Sequence, residues 1–421
     1  MSKNLDELLK QLVNLHPKYI DLSHNRLLNI LKKIGNPHLH LPQIIHIAGT
    51  NGKGSTLSYI RHILMENKLK IHAYISPHLE KFNERIIIAN EEIKTKKLLE
   101  TLLYLKKINN NKPITFFEIT TAAAFYLFSK EKADFLILET GLGGRLDATN
   151  VIKKSLINII TPIGIDHQEF LGKNILNITD EKLGIIKKNS NVIIANQKSI
   201  VKMHIKKSLI KNTSDQLFFN THFKIIEKYN NYFTLKFKQK RIKIKNPKLL
   251  GDHQIENASI AIVSILLLNE LGYSFSEKII NKGIQKTKWP GRLEKGKLQN
   301  INVYLDGAHN IDGASQLLKY FKNKDVKVWL IIGMLNNKNL FGYLKKLKPI
   351  IEGVIPLSIP GEKNCFSEEE IVKVCKNLGL ISFVKKSITK TNNFLLKEIK
   401  PKVILISGSL YLVGKIRNKY L

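Results

Sequence analysis

Gln43-Ile44-Ile45-His46-Ile47-Ala48-Gly49-Thr50-Asn51-Gly52-Lys53-Gly54-Ser55-Thr56 is the stretch on which the reading of this chain turns. A short apolar run ends at a glycine, and a helical pattern follows from Ser55 to about Asn67. Strand, glycine-rich turn and helix open an α/β unit. Glycines let the backbone bend sharply and aim several N–H groups at one point. Those donors and the positive end of a helix make a cradle for an anion. Lys53 is placed to reach the outer phosphates of a nucleotide, and Ser55 or Thr56 can offer a hydroxyl to a metal or a phosphate. The loop departs from the common G-x-x-x-x-G-K-[ST] pattern, because Gly54 separates the lysine from Ser55.

Working outward, apolar strand candidates recur at Phe135–Leu138, Leu156–Ile160, Val192–Ala195, Val303–Leu305, Val328–Ile332 and Val403–Ile406. Helical patterns alternate with most of them. The fold expected is α/β, with a mostly parallel sheet covered on both faces in a P-loop-type ATPase domain and a smaller Rossmann-like C-terminal α/β domain. Residues 222–246 alternate around Asn230-Asn231 and read as an antiparallel hairpin region appended to the first domain. Lys288-Trp289-Pro290-Gly291-Arg292 interrupts the pattern, so domains are expected at 1–288 and 296–421.

A chain of 421 residues exceeds one ordinary core, at roughly 100–200 residues per domain. A hydrophobic content of 43% argues against disorder. No secretory signal and no membrane-spanning stretch are read, so a cytoplasmic protein without a membrane partner is expected. Cys365 and Cys375 form no metal-ligand pattern and read as reduced thiols. The net charge of +34 invites a nucleic-acid reading. The lysines, however, are scattered among Asn and Ile rather than striped with aromatics, so no nucleic-acid partner is expected. A positive field would speed the arrival of anionic substrates.

GTNGKGS at Gly49–Ser55 resembles the phosphate loop of the Mur ligase superfamily, and its GKGS form resembles the folylpolyglutamate/dihydrofolate synthase branch. The resemblance runs on through SPHLEKFNERI (Ser76–Ile86), TFFEITTAAAF (Thr115–Phe125), ETGLGGRLDATN (Glu139–Asn150) and IGIDHQEFLG (Ile163–Gly172). It continues in DEKLGIIK (Asp180–Lys187), GDHQIENA (Gly251–Ala258), WPGRLE (Trp289–Glu294), DGAHN (Asp306–Asn310) and GSLYLVG (Gly408–Gly414). Each motif alone is weak; their order along nearly the whole chain is specific.

The resemblance implies ATP-dependent ligation of L-glutamate to dihydropteroate, to reduced folates or to both, through an acyl phosphate. Gly49, Thr50, Asn51, Gly52, Lys53, Gly54 and Ser55 would hold the phosphates, Asn257 would read the adenine, and Arg292, Asp306 and His309 would complete the ATP site. Ser76, Glu139 and His167 would bind magnesium. Position agrees for Glu139, which closes an apolar strand, where such sheets present ligand groups. Lys182 would be N-carboxylated and serve a second magnesium. Thr115, Phe116, Phe117 and Glu118, with Leu146, Asp147 and Ala148, would line the pteroate site, and Asp21-Leu22-Ser23 resembles another part of it. There Glu118 or Asp147 can accept from pterin N–H groups, and Phe116 can stack. Lys53, Lys182 and Arg292 are the expected catalytic residues. The expected partners are small molecules (ATP, glutamate, dihydropteroate or a reduced folate) acting on a monomer. A ligase of cell-wall nucleotide precursors would share the ATP site, and a nucleic-acid-stimulated ATPase would share the loop.

Overall fold

The computed structural model describes residues 2–18, 20–209 and 215–421, with side chains from residue 4 onward. Two compact units emerge. The first holds residues 1–164, 171–247 and 256–287. The second holds 165–170, 248–255 and 288–421.

The main sheet of the first unit holds, among the described residues, β1 (Gln43–Ala48), β2 (Ile71–Tyr74), β3 (Ile86–Ile88), β4 (Glu91–Glu92), β5 (Phe135–Glu139), β6 (Ile157–Ile160), β7 (Asn191–Ile194) and β8 (Gln216–Phe218). Their order is β4-β3-β2-β5-β1-β6-β7-β8. Among the described residues of this sheet only the β2–β3 and β3–β4 pairs are antiparallel. β5, β6 and β7 are buried along their whole length, as continuous apolar runs in a sheet covered on both faces must be. β1 lies between β5 and β6, so the chain leaves it at a point where strand order reverses. In open α/β sheets ligands gather beyond the carboxyl ends of the strands at such a point.

The hairpin region is a separate three-stranded antiparallel sheet of β9 (Phe223–Lys228), β10 (Tyr232–Phe237) and β11 (Lys240–Lys245). Phe233, Leu235, Phe237, Ile242 and Ile244 form its buried side. The register sets Lys243 beside Thr234 and Arg241 beside Lys236 on the other side. Tyr232 is already covered there, stacked on Tyr229 with ring centroids 4.6 Å apart and with the Lys243 ammonium 3.8 Å from its own centroid.

The second unit carries β12 (Glu294–Leu298), β13 (Ile301–Leu305), β14 (Val328–Ile332), β15 (Ile351–Pro356) and β16 (Val403–Ser407), in the order β12-β13-β16-β14-β15. All pairs but β12–β13 are parallel. The helices Ile311–Lys322 and Leu340–Leu347 pack into its core through Leu317, Phe321, Tyr343 and Leu344. Among the described residues no helix is long and apolar enough to cross a membrane.

Candidate active site

In the first unit the phosphate loop leaves β1 and enters the helix Lys53–Glu66. Two glycines fix its path. Gly49 has φ +150°, and a Cβ there would lie 1.9 Å from Thr161 Oγ1. Gly52 has φ +88°, and a Cβ there would lie 2.5 Å from Asn257 Oδ1. Asn257, expected to read the adenine, is thus brought against the loop. The loop hangs on the segment after β6: Thr50 N–H and Asn51 N–H donate to Pro162 O at 3.0 and 3.2 Å. Thr50 Oγ1 donates to Gly164 O and accepts from Gly164 N–H, each at 3.0 Å. The cradle is therefore narrower than the sequence suggested, since Thr50 and Asn51 turn their N–H groups into the protein. The positive end of the helix Lys53–Glu66 forms the anion-facing part.

Lys53 Nζ donates to Gly49 O at 3.0 Å and Thr50 O at 3.3 Å. Lys182 Nζ, buried, donates to the same Gly49 O at 3.0 Å. Two lysines far apart in sequence thus converge at the foot of the loop.

Glu139 is the last residue of β5 and pairs in register with Ile47, two residues before Gly49. Ser76 follows β2, the other neighbour of β5, and its N–H points to Glu139 Oε2 at 3.4 Å. Ser76 Oγ is buried without a hydrogen-bond partner. A buried, unsatisfied hydroxyl beside a carboxylate is a costly arrangement alone and a fitting one for a hard cation. Magnesium commonly takes only one or two protein oxygens and fills the rest with water and phosphate. Among the described residues no group of three or more His, Cys, Asp and Glu side chains gathers as a metal cluster. His167 belongs to the second unit, with φ +52° and its N–H on Asp166 Oδ1 at 2.9 Å.

The residues expected to line the acceptor site also assemble within the first unit. Thr115 caps the helix Phe116–Lys130 and shares a capping box with Glu118. Thr115 N–H donates to Glu118 Oε2 at 2.7 Å, and Arg26 Nε donates to the same oxygen at 3.0 Å. Glu118 Oε1 is buried with no partner. Arg26 also reaches Asp21 Oδ2 and Asp21 O, each at 2.8 Å. His24 Nε2 donates to Asp147 O at 3.0 Å. The Asp21–Ser23 segment is thereby tied to both the Thr115–Glu118 and Leu146–Ala148 segments. Arg26 and His24, which make the ties, were not singled out from sequence.

Asp147 behaves differently from Glu118. Its Oδ2 accepts from Gly141 N–H and Leu142 N–H, both at 2.9 Å, and its Oδ1 accepts from Thr149 N–H at 2.9 Å and from the Thr149 hydroxyl. Burial pushes the carboxyl's pKa up against these donors. Asp147 therefore organises its own loop, and a ligand N–H would have to share an occupied oxygen. Thr149 Oγ1 accepts in turn from His46 Nε2 at 2.9 Å. Burial, helped by the Lys187 charge, lowers the His46 pKa to about 3, so the ring is neutral. Phe116 meets Phe82 edge to face, with the Arg85 guanidinium over both rings. Phe117 stacks on Tyr74 and covers Gly141, where a Cβ would lie 2.7 Å from its ring. Leu146 is half-buried and Ala148 buried beside them.

In the second unit Asp306 follows β13. Its Oδ2 accepts from Leu293 N–H and its Oδ1 from Ala308 N–H, both at 2.8 Å. Burial raises its pKa, and the Arg292 charge and the two backbone donors oppose the rise. Arg292 precedes Leu293, which sits at φ +45°, and donates to Gly291 O at 3.0 Å. His309 Nδ1 donates to Gly307 O at 2.8 Å, leaving Nε2 3.3 Å from Asp166 Oδ2. Asp166 is also paired with Lys338 and accepts from Asn310 Nδ2 at 3.2 Å. Burial alone would raise Asp166, but His309, Lys338 and His167 together hold it far below the usual carboxylate range. Lys338 was not found from sequence. Its place just past the carboxyl end of β14 is the signal that could have marked it.

Residues 47–265 match the Mur ligase middle domain, and 291–419 match the dihydrofolate synthetase C-terminal domain. The dihydrofolate synthase/folylpolyglutamate synthase of Bacillus subtilis is 30% identical over 414 residues, covering 94% of each chain. The folylpolyglutamate synthase of Lacticaseibacillus casei is 29% identical over 411 residues, again with 94% of each chain covered. The solved structure of E. coli FolC in complex with DHPP and ADP superposes with a TM-score of 0.87 at 26% identity, covering 99% of this chain and 97% of that one. The chain belongs to the Mur ligase family, in its folylpolyglutamate and dihydrofolate synthase branch.

Proposed function

We propose that this chain is an ATP-dependent ligase that joins L-glutamate to the carboxylate of dihydropteroate and of reduced folates. The observation that carries the reading is the meeting of three groups at the carboxyl ends of the central strands of the first sheet. Lys53 stands over the phosphate loop, Glu139 lies in register beside its foot, and Ser76 Oγ is left unsatisfied next to Glu139.

The chemistry runs in two steps. A carboxylate oxygen of the acceptor attacks the γ-phosphorus of ATP, the bond to the β-phosphate oxygen breaks, and ADP leaves. The glutamate amine then attacks the acyl carbon, loses a proton, and inorganic phosphate departs with the oxygen that bridged carbon and phosphorus. The protein supplies position and charge rather than a nucleophile. Lys53 and the helix N-terminus stabilise the anionic phosphoryl group. Ser76 and Glu139, with His167, would hold magnesium, which when bound neutralises phosphate charge. Asn257 faces the loop from the helix Asp252–Glu270. Arg292, Asp306 and His309 complete the proposed nucleotide contacts. Glu118 Oε1 offers the acceptor site an unoccupied hydrogen-bond acceptor, and Phe116 and Phe117 offer it aromatic surface.

We further assign Lys182 as the site of N-carboxylation. Its Nζ is buried at the foot of the loop. Carbon dioxide adds to the amine nitrogen with loss of a proton, and the resulting carbamate would be an anionic oxygen ligand for a second magnesium.

The test is a ligation assay with ATP and glutamate, offering dihydropteroate and tetrahydrofolate separately and measuring phosphate release with product. Both acceptors should be used. Lys53→Ala should lower both rates by about 100-fold or more, the scale of losing a key charge-stabilising group. Near-normal ligation by that variant, or ATP turnover only when DNA or RNA is added, would refute the reading.

A further inference from the structure

We infer that Tyr343 is a positioning residue for the Asp306–His309 loop, acting through the hydroxyl of Ser407. The inference rests on the proposal above that this loop serves the nucleotide.

Tyr343 lies on the helix Leu340–Leu347, and Ser407 is the last residue of β16. Both side chains are fully buried. Tyr343 Oη and Ser407 Oγ are 2.7 Å apart. Ser407 Oγ lies 2.8 Å from Asp306 O and 3.3 Å from Ala308 O. A carbonyl cannot donate, so the serine proton is directed to these two oxygens. The proton between the hydroxyls must then belong to the tyrosine. The direction of the relay is fixed: Tyr343 donates to Ser407, and Ser407 donates to the loop backbone. Burial raises the phenol's pKa further above the working range, so Tyr343 remains a donor.

The loop that receives this bond is otherwise held at its edges. Asp306 N–H donates to Ile406 O, Gly307 N–H to Gly291 O and Gly408 N–H to Ala308 O, each at 3.0 Å. Gly307 has no room for a side chain, since a Cβ there would lie 2.3 Å from Leu410. The carboxylate of Asp306 holds Leu293 N–H and so fixes the turn that presents Arg292. A shift of the Asp306 carbonyl is thus passed to Arg292 on one side and to His309, bonded to Gly307 O, on the other. Tyr343 acts on the loop through Ser407. Its hydroxyl sets the rotamer of the serine that anchors the backbone between them. Buried relays of this kind constrain geometry more tightly than a single bond, because each member has no solvent alternative.

The test compares Tyr343→Phe, Ser407→Ala and the double variant, by thermal melting and by ATP-dependent ligation kinetics well below every melting temperature. Tyr343→Phe and Ser407→Ala should each lower kcat/KM for ATP by about tenfold, within the range that sub-ångström misplacement produces. The double variant should be no worse than Ser407→Ala, because both changes break one relay. Tyr59→Phe is the control: that hydroxyl is buried in the first unit without a partner, so its removal should leave kinetics unchanged. Tyr343→Phe kinetics within twofold of the parent would overturn the inference. So would additive losses in the double variant, or a loss no larger than that of Tyr59→Phe. Asp306→Asn is assayed alongside. If it too is silent, the fault lies with the nucleotide reading of the loop. If it is impaired while Tyr343→Phe is not, the relay alone is refuted.

Discussion

The two loops that end β1 and β13 differ in what gives them their shape. The Gly49–Ser55 loop is shaped by side chains that are missing: Thr161 and Asn257 fill the space where Cβ atoms of residues 49 and 52 would stand. The Asp306–Asn310 loop is shaped by side chains that are present: Asp306 gathers two backbone donors, and Ser407, backed by Tyr343, holds two carbonyls. The first kind of loop tolerates no added atom and announces itself in sequence as a glycine pattern. The second shows its DGAHN motif in sequence, but it is held in part by Ser407, 101 positions from Asp306, which no local pattern marks.

The largest effect should come from filling the first loop. Gly49→Ala places a methyl group 1.9 Å from Thr161 Oγ1, and Gly52→Ala places one 2.5 Å from Asn257 Oδ1 at a left-handed φ. Each should cut ligation by about 100-fold or more through displacement of the phosphate-binding backbone. Thr161→Ala should recover only part of the Gly49→Ala loss, because Thr161 Cβ itself lies 3.0 Å from the new methyl. Full recovery, read from initial rates, would show that the hydroxyl rather than the backbone path is what matters there.

The smallest effect concerns the histidines at the feet of the loops. His46, on β1, is held neutral with a pKa of about 3, mainly by burial. His253, buried near Arg292, is held at about 4 by burial and by that arginine's charge. A histidine whose folded pKa is depressed binds a proton in the unfolded chain first. Stability is therefore full above about pH 6.5 and falls as the pH drops from there toward the folded value. Each such group contributes a slope of at most about 1.4 kcal/mol per pH unit. His46→Gln should remove its share, leaving a shallower acid limb in denaturant midpoints between pH 6.5 and 4. An unchanged limb would mean that His46 does not carry the acid sensitivity of the first loop's foot.

The same contrast explains what was readable in the sequence. The apolar runs at Phe135–Leu138, Leu156–Ile160, Val192–Ala195, Val303–Leu305, Val328–Ile332 and Val403–Ile406 fall on β5, β6, β7, β13, β14 and β16, with Leu156 and Ala195 just outside the strands, because buried strands leave an apolar signature. β2 and β15 escaped notice: one is four residues long and includes His72, and the other includes Gly353 and Pro356. β11 was hidden by its own alternation, in which Lys and Arg take every outward place and only Ile242 and Ile244 point in. The glycine loop and Glu139 were legible because their chemistry is local to a strand end. Arg26 was not, since its partner Glu118 is 92 residues away. Tyr343 was not either, since a buried tyrosine on a helix reads as core until Ser407 is placed beside it.

The central claim is that ATP's terminal phosphoryl group passes to the acceptor carboxylate beside Glu139 before glutamate attacks. Dihydropteroate or tetrahydrofolate labelled with oxygen-18 in the reacting carboxylate tests it directly. Mass analysis of the released inorganic phosphate should show one labelled oxygen per amide formed, with ADP as the other product. Unlabelled phosphate accompanying labelled amide product, or label appearing in AMP, would contradict the account.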